Sequence, residues 1–296
     1  MPITEIDGHR LSLSNLDKVL YPAAAFTKGE AIHYYVSVAD AVLPHLKGRA
    51  VSFLRFPDGV DAAAFFAKNV PPGTPDWVRT AAVVRTGEKR ETQVVIEDLA
   101  TLVWAANLAA LELHTHQWRV DAQRRADRIV FDLDPGEGAT ILDCREVGVW
   151  LRDRLAADGF SALAKTSGSK GLHLLAAVEA TDSSAVSAYA KRLAQEAELA
   201  MPERALHRMA RHLRAGKVFV DHSQNSWAKT TAAPYTLRAR SQPTVSAPVT
   251  WEELAAAGTP DDLVFTAEDV PGRVRRLGDL MAPLLDERRA AALPRD

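Results

Sequence analysis

From Arg128 to Asp221 the hydrophobic period of the chain switches in an order that few architectures accommodate. "RIVFDLD" reads as a buried apolar strand that nevertheless carries two aspartates. "TILDCREVGVWLRDRLAADG" carries apolar residues at helical spacing and closes on Gly159. "SALAKTS" and "GLHLLAAV" read as two strands joined by a glycine-bearing turn. "SSAVSAYAKRLAQEAELA" and "PERALHRMARHLRAG" are helical by their apolar spacing, and "KVFVD" is a closing strand. The resulting order, βαββαβ, specifies the split βαβ arrangement of ferredoxin-like and RNA-recognition-type sheets. The expected fold class is mixed α+β, with an N-terminal α/β lobe packed against that sheet. Such a sheet hosts many functions, so function has to be argued from side chains.

Residues 1–125 mix elements: "SVADAVLPHL" predicts a helix, "AVSFLRFP" a strand and "DLATLVWAANLAALELH" one long apolar helix. Residues 126–240 hold the βαββαβ unit, and residues 241–296 predict a closing strand or loop followed by terminal helices. No repeat or low-complexity linker separates them, so one domain over residues 1–296 with three sub-regions is expected. At 296 residues the chain buries enough surface to fold without staples. Its one cysteine, Cys144, cannot form an internal disulfide, and no clustered CxxC or HxxxH offers a structural zinc site. The amino terminus lacks a basic stretch followed by an apolar core, and no apolar run is long enough for a bilayer. The expectation is a soluble cytoplasmic protein with no membrane partner. A formal charge of −2 and a pI of about 6.5 confine any nucleic-acid surface to a local patch.

Asp132 and Asp134 stand two apart on "RIVFDLD", so they share one face while Ile129, Phe131 and Leu133 take the other. "DPG" turn chemistry accounts for Asp134 but not for Asp132. A divalent cation accounts for both, because hard oxygen donors on a rigid strand are how Mg²⁺ or Mn²⁺ is held. Asp221 ends the last strand of the unit. If that strand neighbours the first, three carboxylates converge, enough to hold two ions for phosphoryl transfer. Between the acidic strands lies "KTSGSKGLHL", in which small residues let backbone N–H groups approach an anion while Ser167, Ser169 and Lys170 add donors. That suits a triphosphate, although the loop lacks Walker A spacing and joins two strands. His173 faces away from Leu172 and Leu174, and a lone histidine in such a position is more often structural than catalytic.

"FDLDPGEG", "KTSGSKGLHL" and "VFVDHSQN", in that order, resemble the polymerase domain of bacterial ligase D and its stand-alone relatives in the archaeo-eukaryotic primase superfamily. "NLDKVLYP", "TKGEAIHYY", "FFAKNVPPGTPDWV", "LELHTHQW" and "AKTTAAPYTLRAR" extend the likeness over almost the whole chain. The resemblance implies that Asp132, Asp134 and Asp221 hold two divalent cations, Mn²⁺ or Mg²⁺. It implies nucleotide-binding roles for His114, Ser167, Lys170, His173, Gln224 and Arg238. For DNA, it implies that Lys18 and Lys28, with Asn15 nearby, grip a downstream 5′-phosphate in the N-terminal lobe, and that Phe65 and Phe66 stack on bases at the gap. Taken singly, the phenylalanines fit a core and the lysines a solvated surface. The "LYPAAAFT" turn between the lysines suggests one exposed pocket for both ammonium groups.

The implied activity is template-directed nucleotidyl transfer, filling short gaps at DNA breaks, with ribonucleotides preferred. Nucleoside triphosphates, NTP or dNTP, are the substrates, and gapped or broken DNA with a 5′-phosphate is the partner. A DNA ligase and the end-binding Ku protein are implied companions at the nucleoid. The sequence departs from the best-known members in lacking a ligase KxDG motif, since "FPDG" has no lysine, and it also lacks the primase zinc module. Two other readings use the same residues: a two-metal nuclease or phosphoesterase, which needs no triphosphate loop, and a non-catalytic nucleic-acid-binding module, which calls for aromatics on the sheet.

Overall fold

The computed structural model describes residues 3–84 and 89–294 of a mixed α+β protein. Its contacts form two compact units that interleave along the chain. One comprises Met1–His116, Thr230–Ser246 and Phe265–Asp279; the other comprises Gln117–Lys229, Ala247–Val264 and Leu280–Asp296. The boundaries therefore fall near 116 and 229, where the sequence suggests divisions at 125 and 240. The cause is strand pairing: Thr231–Ala232 joins Ala110–Thr115 antiparallel and so belongs with the N-terminal sheet.

In the second unit the strands lie side by side in the order Ala205–Leu206, Val218–Asp221, Arg125–Pro135, Leu172–Asp182, Leu163–Thr166 and Pro248–Val249. The central four pair antiparallel. Two helices, Ile141–Ala157 and Ser183–Ala200, separate them along the chain. The first begins at Thr140, whose side chain and that of Asp143 cap each other's backbone N–H groups, and its last turn gives way to Gly159 at φ 87°. Its Gly148 permits close packing: a Cβ there would lie 3.2 Å from the Leu172 side chain, with Leu174 and Leu133 next. That contact identifies the buried face. Ile129, Phe131 and Leu133 are each at most 1 % exposed, a burial worth about 1.5–3 kcal/mol per side chain. On the other face Val130, Leu175 and Ala177 pack with Met281 and Leu284 from the C-terminal segment. Asp132 and His173 lie further along that second face.

"PERALHRMARHLRAG" is not the helix its apolar spacing predicts. It holds only the strand Ala205–Leu206, parallel to Val218–Phe219, and a short 3₁₀ turn at Arg211–Leu213. Glu198, near the end of the preceding helix, accepts from the His207 backbone at 2.8 Å and from Arg208 at 2.9 Å, and the Arg214 guanidinium stacks 3.8 Å above the Phe219 ring. These contacts hold the segment extended along the Asp221 strand.

The sheet of the first unit runs Thr231–Ala232, Ala110–Thr115, Ala50–Arg55, Arg90–Val95, Thr80–Val84, with Phe65–Ala67 also paired to Ala50–Arg55. Here too the long apolar stretch divides. The helix covers only Leu99–Asn107, Ala109 turns through φ 54°, and Ala110–Thr115 is a strand. A continuous apolar run fits a buried helix and a buried strand equally, and the flanking strands decide it. "SVADAVLPHL" falls within two helices, Lys28–Ser37 and Ala39–Leu46. No helix among the described residues is long and apolar enough to cross a membrane.

Candidate active site

In the second unit, Asp132 stands opposite Asp221 on one neighbouring strand and opposite His173 on the other, and His173 stands opposite Lys165. Asp221, Asp132, His173 and Lys165 thus form one row across four strands. Facing residues of an antiparallel pair have Cβ atoms about 4.5–5.5 Å apart, so two carboxylates placed this way repel. Asp134 shares the face one step along and is exposed. Asp221 is oriented by its own turn: Oδ1 accepts from the Ser223 N–H at 2.8 Å and Oδ2 from Gln224 Nε2 at 3.0 Å. Asn225 anchors that turn. Its Oδ1 accepts from the Val130 N–H at 2.8 Å, and its Nδ2 donates to the carbonyls of Val130 at 2.7 Å and His222 at 2.8 Å. A side chain thereby continues the ladder beyond the point where the Asp221 strand ends.

The acidic field reaches through the sheet. Burial pushes the Cys144 thiol up, and Asp134, Asp143 and Asp132 push it further, which keeps this cysteine protonated and inert. The donor chemistry fits a hard divalent cation, since it is carboxylate oxygen on adjacent, registered strands. Among the described residues, no three His, Cys, Asp or Glu side chains close around one ion. Asp132 and Asp221 face each other across the strand pair, and Asp134 is exposed one step along.

The loop between the Lys165 and His173 strands sits against the strand carrying both aspartates. A Cβ on Gly171 would lie 2.2 Å from the Leu133 carbonyl oxygen, so only glycine allows this approach. The loop closes on itself. Ser167 Oγ accepts from the N–H groups of Ser169 and Gly171, each at 3.1 Å, and the Ser167 N–H donates to the Gly171 carbonyl at 2.9 Å. Two amides of the loop are therefore engaged by Ser167, and Lys170 is the exposed cation of the loop.

In the first unit His114 and Arg238 meet at a residue that the sequence reading did not single out, Glu112. His114 Nε2 lies 2.9 Å and Arg238 Nε 3.1 Å from Glu112 Oε2, and the Ala239 N–H donates to Oε1 at 3.0 Å. Burial alone would raise the Glu112 carboxyl. The hydrogen bond with His114, the charge of Arg238 and the Ala239 N–H prevail and hold it at about 2. Phe65 and Phe66 are 55 % and 52 % exposed, which excludes a core role. The Phe66 ring meets His114 edge-on with centroids 6.2 Å apart, and the Lys68 ammonium lies 5.6 Å from its centre.

Lys18 and Lys28 are brought together, but not on an open surface. Lys28 is 5 % exposed at the start of its helix and donates to Ser14 Oγ at 3.2 Å and to the Asn107 carbonyl at 3.0 Å. Burial, and after it the charge of Lys18, lower its pKa. Lys18 pairs with Asp58 at 2.8 Å. Asn15, at φ 52°, accepts the Lys18 N–H at 3.1 Å, and Lys28 donates its own N–H to the Lys18 carbonyl at 2.8 Å, zipping the turn to the helix.

Three residues in these sites escaped the sequence reading: Lys165, Glu112 and Asn225. The only signal for the first two was their even spacing from residues already chosen, Ser167 and His114.

The family model for the LigD primase-polymerase domain matches residues 27–281. The chain is 45 % identical over 285 residues to the multifunctional non-homologous end joining protein LigD of Mycobacterium bovis, covering 93 % of this chain and 37 % of that protein. It is 43 % identical over 278 residues to the corresponding protein of Mycolicibacterium smegmatis, covering 93 % and 36 %. The chain thus spans little more than a third of these relatives' length. Among solved structures, the polymerase domain from Mycobacterium tuberculosis ligase D in complex with DNA matches with a TM-score of 0.90 at 43 % identity, covering 94 % of this chain and 99 % of that one.

Proposed function

Because the chain belongs to the LigD primase-polymerase domain family, we propose that it is a template-directed polymerase that adds nucleotides to a primer 3′-hydroxyl at short gaps in broken DNA. The observation that carries this reading is the registered pair Asp132 and Asp221, with the Ser167–Gly171 loop seated against the same strand. Asp132, Asp134 and Asp221 would hold two divalent cations, Mg²⁺ or Mn²⁺, which supply activation of the hydroxyl and charge neutralisation at the leaving pyrophosphate. Ser223 and Gln224 keep the Asp221 carboxylate from rotating. Lys170 offers an exposed ammonium to a triphosphate, and Ser167 sets the loop that presents it. In the first unit Glu112 fixes His114 and Arg238 as nucleotide-contacting groups. Phe65 and Phe66 offer stacking surfaces to unpaired bases, while Lys18 and Lys28, close enough for the charge of one to act on the other and with Asn15 beside them, are the cations assigned to a terminal 5′-phosphate.

The names of the relatives place those proteins in non-homologous end joining, and the reading extends to a DNA ligase and Ku as partners, in the cytoplasm at the nucleoid. A primer-extension assay on a gapped duplex with a 5′-phosphate, run with each metal and with NTPs and dNTPs, tests the reading. Template-matched extension that needs both a triphosphate and a divalent cation is expected, with ribonucleotides favoured through His114. Strand shortening would point to a nuclease, and metal-indifferent binding without extension to a binding module. Equal efficiency with both sugars would remove the ribonucleotide preference alone.

A further inference from the structure

Lys165 is fully buried on its strand, and none of the roles above uses it. Burying an amine is costly unless its hydrogen-bonding groups are engaged, so its neighbours identify its work. Its Nζ lies 2.9 Å from His173 Nδ1. Across the same ring, Nε2 lies 3.1 Å from Asp132 Oδ1. The order of protons along this row follows from what each group can do. A carboxylate only accepts, so Nε2 carries the hydrogen; a neutral imidazole has one N–H, so Nδ1 is an acceptor; Lys165 therefore donates. With a neutral imidazole between them, the chain of hydrogen bonds points one way, from Lys165 through His173 to Asp132.

We infer that Lys165 is a positioning residue for Asp132, acting through His173. It fixes the rotation and tautomer of the imidazole, and the imidazole ties one oxygen of the carboxylate. The row makes this geometry robust, because the three residues stand directly opposite one another on paired strands and none sits on a loop. The assignment gives His173 a further part: with one ring nitrogen on Lys165 and the other on Asp132, it serves the carboxylate. Partners one step removed from a metal typically carry a tenfold to hundredfold effect on metal affinity.

The inference rests on the reading of Asp132 as a metal ligand, and the test separates the two. Binding of Mn²⁺ alone, without nucleotide or DNA, is measured by electron paramagnetic resonance of the free ion. The proteins compared are wild type, Lys165→Met, His173→Gln and the double variant, with thermal melts to confirm folding. Lys165→Met keeps the length of the stem and removes the donor, and should weaken Mn²⁺ about tenfold or more. A glutamine at 173 still offers an N–H to Asp132, so His173→Gln should lose less. Adding Lys165→Met to His173→Gln should cost under about twofold, because the path to Asp132 is already cut. Wild-type affinity in Lys165→Met, or fully multiplicative losses, would overturn the inference while leaving the metal site standing. A wild type that binds no Mn²⁺ would overturn both. Nitrogen-15 spectra of the wild-type His173 ring, assigned by its loss in His173→Gln, give a readout that survives a misfolded lysine variant. Nε2 should be protonated and Nδ1 bare, and an Nδ1–H ring would refute the chain.

Discussion

Replacing Glu112 by glutamine removes one charge with little change of shape, and the cost can be worked out from its surroundings. The carboxylate is 3 % exposed and holds His114, Arg238 and the Ala239 N–H. It titrates at about 2, against 4.5 for an ordinary glutamate. A folded-state value below the unfolded one means that the stabilisation is present above about pH 4.5 and is lost as pH falls through about 2. The gap corresponds to roughly 3 kcal/mol at pH 7, of which about 2 kcal/mol is gone by pH 3. Glu112→Gln lacks that contribution at every pH and leaves the Arg238 guanidinium without its carboxylate. Urea denaturation of both proteins at pH 7, 5 and 3 isolates the effect, because all other carboxylates are common to the two and cancel in the difference. The variant should be less stable by roughly 3 kcal/mol at pH 7 and by only about 1 kcal/mol at pH 3. A difference independent of pH, or one below about 0.5 kcal/mol at pH 7, refutes the account of this cluster.

Asp132→Ala and Asp221→Ala should each abolish extension while sparing DNA binding, and retention of about a tenth of wild-type extension in both would remove the metal-ligand assignment. Phe65→Ala and Phe66→Ala, at exposed positions, should leave stability within about 0.5 kcal/mol yet weaken gapped-DNA affinity by about 1–3 kcal/mol per stacked base; unchanged affinity argues against stacking. Wild type should prefer a gap with a 5′-phosphate over one without by about tenfold, and Lys18→Ala combined with Lys28→Met should lose most of that preference. Indifference of the wild type removes the phosphate pocket and leaves the aspartate assignment intact. Asn225→Ala strips partners from both backbone groups of Val130 and should cost about 2–3 kcal/mol in denaturant; a loss below about 0.5 kcal/mol contradicts its anchoring role.

Elements whose period was unambiguous were legible in the sequence. The strand around Asp132, the Ile141–Ala157 helix and the Asp221 strand all lie where their apolar spacing places them. Two stretches misled for opposite reasons. Between Thr101 and Glu112 "DLATLVWAANLAALELH" has Asn107 as its one polar residue, too little punctuation to set a period, so the break at Ala109 becomes visible only once the Ala50–Arg55 strand claims Ala110–Thr115 as its neighbour. "PERALHRMARHLRAG" has a helical period, but Glu198 and Phe219 hold its basic side chains at positions a helix could not reach. In the first case local sequence said too little, and in the second long-range contacts overrode what it said.

The site divides along the same line. Asp132, Asp134 and Asp221 were found because carboxylates on apolar strands are conspicuous by their cost. Lys165 carries a comparable cost and passed unnoticed, because in "ALAKTS" a lysine reads as the solvent-facing member of an alternating strand. What buries it is register. The pairing of Lys165 with His173, and of His173 with Asp132, is a relation between strands that no single segment encodes, and a slip of one residue in either pairing would send the side chains to the opposite face. Glu112 follows the same logic: two residues before His114 it is an ordinary alternating position, until Arg238 arrives from a strand more than a hundred residues on. The aspartates proposed to touch metal are visible from chemistry, and His114 and Arg238 from the resemblance of their motifs. The groups that hold them are not, since orientation is set by partners that only the completed sheet brings within hydrogen-bond reach.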